Sequence, residues 1–256
     1  MGRSPGMKRV ALFVSCLADL AAPGPARGAV EVLEALGFGV DVPLSQTCCG
    51  QPALNSGYPG AARRLMRHWL DVFEPYDTVV SPSGSCTATV HHQYERVLDG
   101  PDRERARALA DRTYELSQFV AVHGAGLPLA LDATVTYHDS CHMLRSLGEH
   151  DAPRIVLGRI TGLRLVEMPS AEVCCGFGGT FAAKFADLSV AMADRKLADA
   201  QQTGAHYLVS ADPGCLMHLS ARARAAGLPV ITRHLAELLR DALPVRVQDQ
   251  AREKTR

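Results

Sequence analysis

Cys48-Cys49-Gly50 and Cys174-Cys175-Gly176 are vicinal thiol pairs followed by glycine, and each has one further cysteine on either side. Thirty-one residues separate Cys16 from Cys48 and thirty-six separate Cys49 from Cys86. In the second half the intervals are thirty-two, from Cys141 to Cys174, and thirty-nine, from Cys175 to Cys215. These are all the cysteines of the chain, and corresponding members lie 125 to 129 residues apart. Such a repeat marks a duplication with one four-thiol site per half. Four thiolates can hold an iron–sulfur cluster or a tetrahedral zinc ion, or work by thiol–disulfide exchange. Buried cysteines that merely pack as small apolar residues would be scattered, not partitioned into quartets. Structural zinc sites draw on short C-x2-C pairs, which this chain lacks, and adjacent cysteines fit one tetrahedron poorly. The pattern favours a multi-iron cluster, with zinc and thiol chemistry as alternatives.

Positioning four thiols so distant in sequence requires a scaffold whose loops converge. Val10–Val14, Phe38–Val42 and Thr78–Val80 read as short buried strands, alternating with helices over Gly28–Leu36 and Ala61–Phe73. The order restarts with strands at Thr134–Tyr137, Leu163–Met168, Tyr207–Val209 and Pro229–Ile231. Helices are expected between them over Ala152–Ile160, Phe181–Ala200 and His234–Leu239. Arg103–Val122 reads as one long amphipathic helix connecting the halves. Strand–helix alternation predicts an α/β protein of two duplicated, pseudo-symmetric lobes with parallel sheets flanked by helices. The expected division is a first lobe over 7–100, a connecting helix and linker over 101–132, a second lobe over 133–242 and a polar tail over 243–256. Each cysteine then falls after the carboxyl end of a strand, the edge at which such sheets bind ligands. Helix N-termini there favour thiolates or an anionic cluster.

A hydrophobic content of 47% with 21% charged residues supports a sizeable core. Zero formal net charge argues against nucleic acid as the main partner. No apolar run reaches the roughly 18 residues of a membrane span. The polar N-terminus lacks signal-peptide features, so the expected location is the cytoplasm, where thiols stay reduced. His138 and His142 flank Cys141, and His218 follows Cys215; roles around the site or at the surface are expected for them, ahead of ligation. His91-His92 is expected on a solvent-facing helix, and the Phe181, Phe185 and Leu188 stripe in the core. Gly176-Phe177-Gly178-Gly179 lacks the spacing of a dinucleotide fingerprint, and no nucleoside triphosphate loop is present.

Four stretches together resemble the cysteine-rich CCG-domain family of iron–sulfur proteins. They are Cys48-Cys49-Gly50-Gln51-Pro52-Ala53 with Asn55-Ser56-Gly57, Ser81-Pro82-Ser83-Gly84-Ser85-Cys86, His138-Asp139-Ser140-Cys141-His142, and Cys174-Cys175-Gly176-Phe177-Gly178-Gly179. The family includes the cysteine-rich component of heterodisulfide reductase, the glycolate oxidase iron–sulfur subunits and the lactate-utilisation proteins, to which the resemblance is nearest. It spans Lys8 to about Leu239. It implies that Cys16, Cys48, Cys49 and Cys86 bind one cluster and Cys141, Cys174, Cys175 and Cys215 a second. It further implies an electron-transfer subunit of a complex oxidising L-lactate, a 2-hydroxy acid, to pyruvate. Its partners would be other lactate-utilisation subunits, including a second iron–sulfur protein. A heterodisulfide-reductase-like thiol/disulfide oxidoreductase and a zinc-stabilised interaction module are the alternatives. The fuller family motif ends in C-x2-C, with five cysteines per site, but here Ser83 and Asp212 occupy the fifth positions. Four thiols suit two [4Fe-4S] clusters. Asp212 either adds an oxygen ligand or caps the following helix, and the cap is the expected role.

Overall fold

The computed structural model describes residues 8–244; the N-terminal segment before them and the expected polar tail beyond residue 244 lie outside the described residues. The first half runs β1 (Arg9–Leu12), α1 (Cys16–Ala21), α2 (Gly24–Ala35), β2 (Gly39–Asp41), α3 (Gln51–Asn55), α4 (Pro59–Phe73), β3 (Val79–Ser81), α5 (Gly84–Ala88), a π-helical turn (Thr89–Gln93), α6 (Tyr94–Val97), α7 (Pro101–Ala110), β4 (Thr113–Glu115) and α8 (Leu116–His123). The second runs β5 (Ala130–Tyr137), a π-helical turn (His142–Ser146), α9 (Asp151–Gly158), β6 (Thr161–Leu165), α10 (Thr180–Lys184), α11 (Ala186–Gln202), β7 (Tyr207–Ser210), α12 (Pro213–Ala225), β8 (Ile231–His234) and α13 (Leu235–Ala242). Two sheets of equivalent strand order result, β2-β1-β3-β4 and β6-β5-β7-β8, with every pair parallel. The duplicated α/β lobes expected from the cysteine spacing are therefore present.

Elementary chemistry accounts for the main elements. In α4, Pro59 opens the helix and Ala62, Met66, Trp69, Leu70 and Phe73 form one buried stripe at helical spacing. Buried stripes like this one contribute roughly 1.5–3 kcal/mol per large apolar side chain. That face packs under the first sheet against Phe13 and Tyr94, as an outer core private to the first lobe. Met168, Leu197, Leu208 and Leu219 form the corresponding outer core of the second lobe. Between the sheets lies a third core shared by both halves, built from Val32, Leu33, Phe119, Val156, Leu238 and their neighbours. Here α2 packs on α13 and α8 on α9, so each half supplies two helices to its partner.

Two expected helices are broken. Arg103–Val122 is not one helix but α7, β4 and α8. Thr113 buries its β-branched side chain in the sheet, and β4 pairs with β3 to complete the first sheet. Glu115 ends the strand and caps α8, accepting from Ser117 N at 2.6 Å, while Gln118 Oε1 accepts from Glu115 N at 3.1 Å. Likewise Phe181–Ala200 divides into α10 and α11 at Phe185, whose φ of −129° and ψ of 55° are not helical. The break turns Phe185 and Leu188 out to solvent, 58% and 55% exposed, so this stripe is not core as expected. His91 also departs from expectation: it is half-buried, on the π-helical turn, with Nε2 2.8 Å from the Thr113 carbonyl oxygen. No described helix is long and apolar enough to cross a membrane.

Candidate metal centres

Every cysteine lies beyond the carboxyl end of a strand. Cys16 opens α1 after β1, Cys48-Cys49 precede α3 after β2, and Cys86 lies in the first turns of α5 after β3. The second lobe repeats this with Cys141 after β5, Cys174-Cys175 after β6 and Cys215 in α12 after β7. All eight are free thiols; Cys49, Cys86, Cys175 and Cys215 are buried and the others half-buried.

In the first lobe Cys16 Sγ and Cys48 Sγ are 3.6 Å apart, and hydrogen-bonding contacts continue from Cys48 to Cys49 and from Cys49 to Cys86. The second lobe has the same chain of contacts from Cys141 through Cys174 and Cys175 to Cys215. In each quartet one thiol is held well below its ordinary range by its sulfur neighbours. Cys48 is lowered by Cys16 and then Cys49, Cys174 by Cys141 and then Cys175. The following glycine amide assists: Gly50 N donates to Cys48 Sγ at 3.5 Å and Gly176 N to Cys174 Sγ at 3.4 Å. Both glycines have φ of +90°, a left-handed conformation that side chains resist. Each quartet thus presents four convergent sulfurs, one favoured as thiolate, with amide donors to the negative charge. That donor set fits a thiolate-bound metal centre.

Helix caps hold the outer cysteines. Ser83 Oγ accepts from Cys86 N at 3.4 Å. Asp212 Oδ1 accepts from Gly214 N at 3.0 Å and Cys215 N at 3.3 Å, so the carboxylate takes the capping role expected of it. Its Oδ2 crosses the lobe boundary to accept from Ser85 N at 2.8 Å, beside a bond from Gly84 N to the Ala211 carbonyl at 3.1 Å. At that junction a Cβ on Gly84 would lie 2.3 Å from Met143 Cγ, so only glycine lets the lobes approach this closely.

The surroundings of the quartets differ. Around the first, Tyr94 Oη donates to the Cys49 carbonyl at 3.0 Å and Phe13 packs edge-on against Trp69 and Phe73. Around the second stand ionisable groups. His138 is fully buried, and a ring nitrogen lies within 4.8 Å of Cys175 Sγ and Cys215 Sγ. Burial holds its pKa down to about 4, with Lys196 adding to the effect. Lys196, also buried, donates to the carbonyls of Ser170 and of Ala171, the latter at 3.2 Å, and burial lowers it to about 8. Ser189 Oγ donates to the Gly176 carbonyl at 2.8 Å and lies 3.2 Å from His218 Nε2. His142 reaches the other lobe, with Nε2 2.9 Å from Gln51 Nε2 and Nδ1 3.6 Å from Cys141 Sγ. Sequence reasoning placed the three histidines near the site but missed Lys196 and Ser189, whose signal is only their spacing after Gly176 on α11.

Access differs too. Cys16 and Cys48 line a cavity of about 190 Å³ with Val42, Leu44 and Gln46, all from the first lobe. All four cysteines of the second quartet line a cavity of about 90 Å³ between the lobes, closed on its far side by Leu17, Gln51 and Asn55.

The model of the CCG family, described as a cysteine-rich domain, matches residues 10–91 and 135–220. The chain is 46% identical over 236 residues to Lactate utilization protein A of Geobacillus sp. (strain WCH70), covering 90% of this chain and 98% of that protein. It is 45% identical over 239 residues to Lactate utilization protein A of Halalkalibacterium halodurans, covering 90% and 96%. Among solved structures, a hypothetical protein from Helicobacter pylori aligns with a TM-score of 0.67 at 11% identity, covering 94% of this chain; the alignment spans about half, 49%, of that chain. That similarity bears on fold alone.

Proposed function

The chain belongs to the cysteine-rich domain (CCG) family, and from that premise we infer that it is an electron-transfer subunit of an L-lactate oxidising system, with one iron–sulfur centre in each lobe. The observation that carries this reading is the gathering of all eight free thiols into two equivalent contact clusters, each with a glycine amide donating to sulfur. Cys16, Cys48, Cys49 and Cys86 hold the first centre; Cys141, Cys174, Cys175 and Cys215 hold the second. A bound cluster supplies one-electron chemistry. The chain's own residues contribute thiolate ligands, amide donors that stabilise negative charge, and buried walls that exclude water. Lactate utilisation follows from the relatives' names, and the two-electron change from a 2-hydroxy acid to a keto acid needs electron carriers. Partner subunits, one with further clusters, complete the path in the cytoplasm. The proposed division is that of the duplication, 7–100 and 133–242 around a connecting segment, 101–132, whose β4 joins the first sheet.

A second reading has one observation in its favour. The cavity exposing the second quartet between the lobes would admit a small disulfide, as a thiol–disulfide oxidoreductase requires. Anaerobic purification with iron, sulfide and zinc analysis, together with electron paramagnetic resonance of the reduced protein, tests the main reading. We expect iron and sulfide in both lobes, and Cys174→Ser to lose the second centre while keeping the first. Stoichiometric zinc with little iron, persisting after cluster reconstitution, would overturn it. Turnover of low-molecular-weight disulfides by the loaded protein would favour the second reading.

A further inference from the structure

The two lobes place different residues three positions ahead of their first cysteine: Phe13 before Cys16, and His138 before Cys141. Both follow equivalent central strands, β1 and β5, and both are fully buried. Phe13 is absorbed by its aromatic neighbours. His138 is oriented by two bonds. Its Nδ1 lies 3.3 Å from the Ala171 carbonyl oxygen, to which it donates, and its own carbonyl accepts from Ser210 Oγ at 2.9 Å. With the Nδ1 proton so used, Nε2 carries a lone pair, and this buried atom has no hydrogen-bond partner among the described residues. An unpaired buried nitrogen costs about 1–3 kcal/mol unless something binds it. Two sulfurs stand close by: a ring nitrogen of His138, Cys175 Sγ and Cys215 Sγ all lie within 4.8 Å of one another. A histidine whose other nitrogen is tied to a backbone carbonyl is set up as metal-ligating histidines are.

We propose that His138 Nε2 is a nitrogen ligand of the second lobe's metal centre, on the side of Cys175 and Cys215. The inference rests on the reading of the second quartet as a metal centre and adds to it an asymmetry. The first lobe has Phe13 at this place and binds through sulfur alone.

The test is pulsed electron paramagnetic resonance of the anaerobically purified, reduced protein, prepared unlabelled and with ¹⁵N-histidine. A directly coupled imidazole nitrogen that changes with the isotope is expected in the wild type. It should be lost in His138→Phe, which installs the first lobe's residue, and kept in His142→Phe. A second-centre signal without nitrogen coupling overturns the proposal while leaving two iron–sulfur centres in place. If the protein takes up no iron, the proposed function fails separately, and cobalt(II) added to the metal-free protein becomes the probe. Paramagnetically shifted imidazole protons, absent in His138→Phe, then support the nitrogen ligand. Thiolate-only cobalt, or no cobalt uptake, overturns it.

Discussion

The first lobe surrounds its cysteine loop with aromatic rings, and the second surrounds the same loop with a buried histidine, a buried lysine and a hydrogen-bonded serine. Phe13, Trp69 and Tyr94 stand around the one, His138, Lys196 and Ser189 around the other. The backbone frame is nevertheless shared down to the left-handed glycine and its amide-to-sulfur bond. The difference teaches that a duplicated frame dictates where thiols converge but not the dielectric and donors around them. Those surroundings govern how readily a centre accepts charge.

The sharpest way to break the comparison is at the glycines. A Cβ on Gly176 would lie 2.7 Å from the Ser189 carbonyl oxygen and 2.9 Å from Met192 Cβ, whereas on Gly50 its nearest contacts are at 3.3 Å. Gly50→Ala should cost ~1–2 kcal/mol from the left-handed backbone. Gly176→Ala should lose roughly 1–3 kcal/mol more from overpacking. Denaturant midpoints of the two variants check this, and equal losses would mean that α11 yields as easily as α4.

Next come the caps at the ends of β4 and β8, which are opposite in charge type. Glu115 caps α8, and burial raises its pKa from 4.5 to about 8. The folded state holds that proton more tightly, so this stability is present below pH 4.5 and lost as pH rises through 8. His234 caps α13, accepting from Ala236 N at 3.1 Å, and burial lowers it from 6.5 to about 4. Its contribution is present above pH 6.5 and lost as pH falls through 4. Each window amounts to roughly 3–5 kcal/mol. Glu115→Gln should flatten the alkaline limb of a stability–pH curve. His234→Asn should flatten part of the acid limb, which His138 shares. Curves unchanged by both substitutions would remove this contrast between the lobes.

The smallest effect concerns Ser83 and Asp212. Ser83→Ala removes one capping acceptor and should cost about 1 kcal/mol. Asp212→Ala leaves Gly214 N, Cys215 N and Ser85 N without their acceptor and should cost roughly 2–3 kcal/mol. Thermal unfolding distinguishes the two; matching losses would show that the bond to Ser85 adds nothing.

Much of this frame was legible because its signals are local. The apolar run at Val10–Val14 marked β1, and the cysteines marked the loops beyond the strands. What escaped detection depended on tertiary context. Thr113–Glu115 is too short for a strand period and carries a glutamate that reads as helix surface charge, yet pairing with β3 buries it. The duplication held the missing clue: Glu115-x-x-Gln118 and His234-x-x-Glu237 are the same capping box at the same place in each half. Phe185 and Leu188 fit a helical stripe until the chain breaks at Phe185 and rotates them outward. The surroundings of the second quartet were beyond sequence because Lys196 and Ser189 read as ordinary positions of the following helix, and nothing in a lone histidine reveals burial.

The crossing at Asp212 bears on the history of the molecule. An internal repeat implies an ancestor in which two identical copies met, each side offering the other what it received. The present junction has lost that reciprocity. Gly84 N donates to the Ala211 carbonyl, but Pro213, which occupies the matching place in the second half, has no N–H to return the bond. Asp212 serves helices in both halves, while the single hydroxyl of Ser83 serves its own. The halves have become complementary instead of interchangeable: neither a homodimer of the first nor one of the second could rebuild this seam.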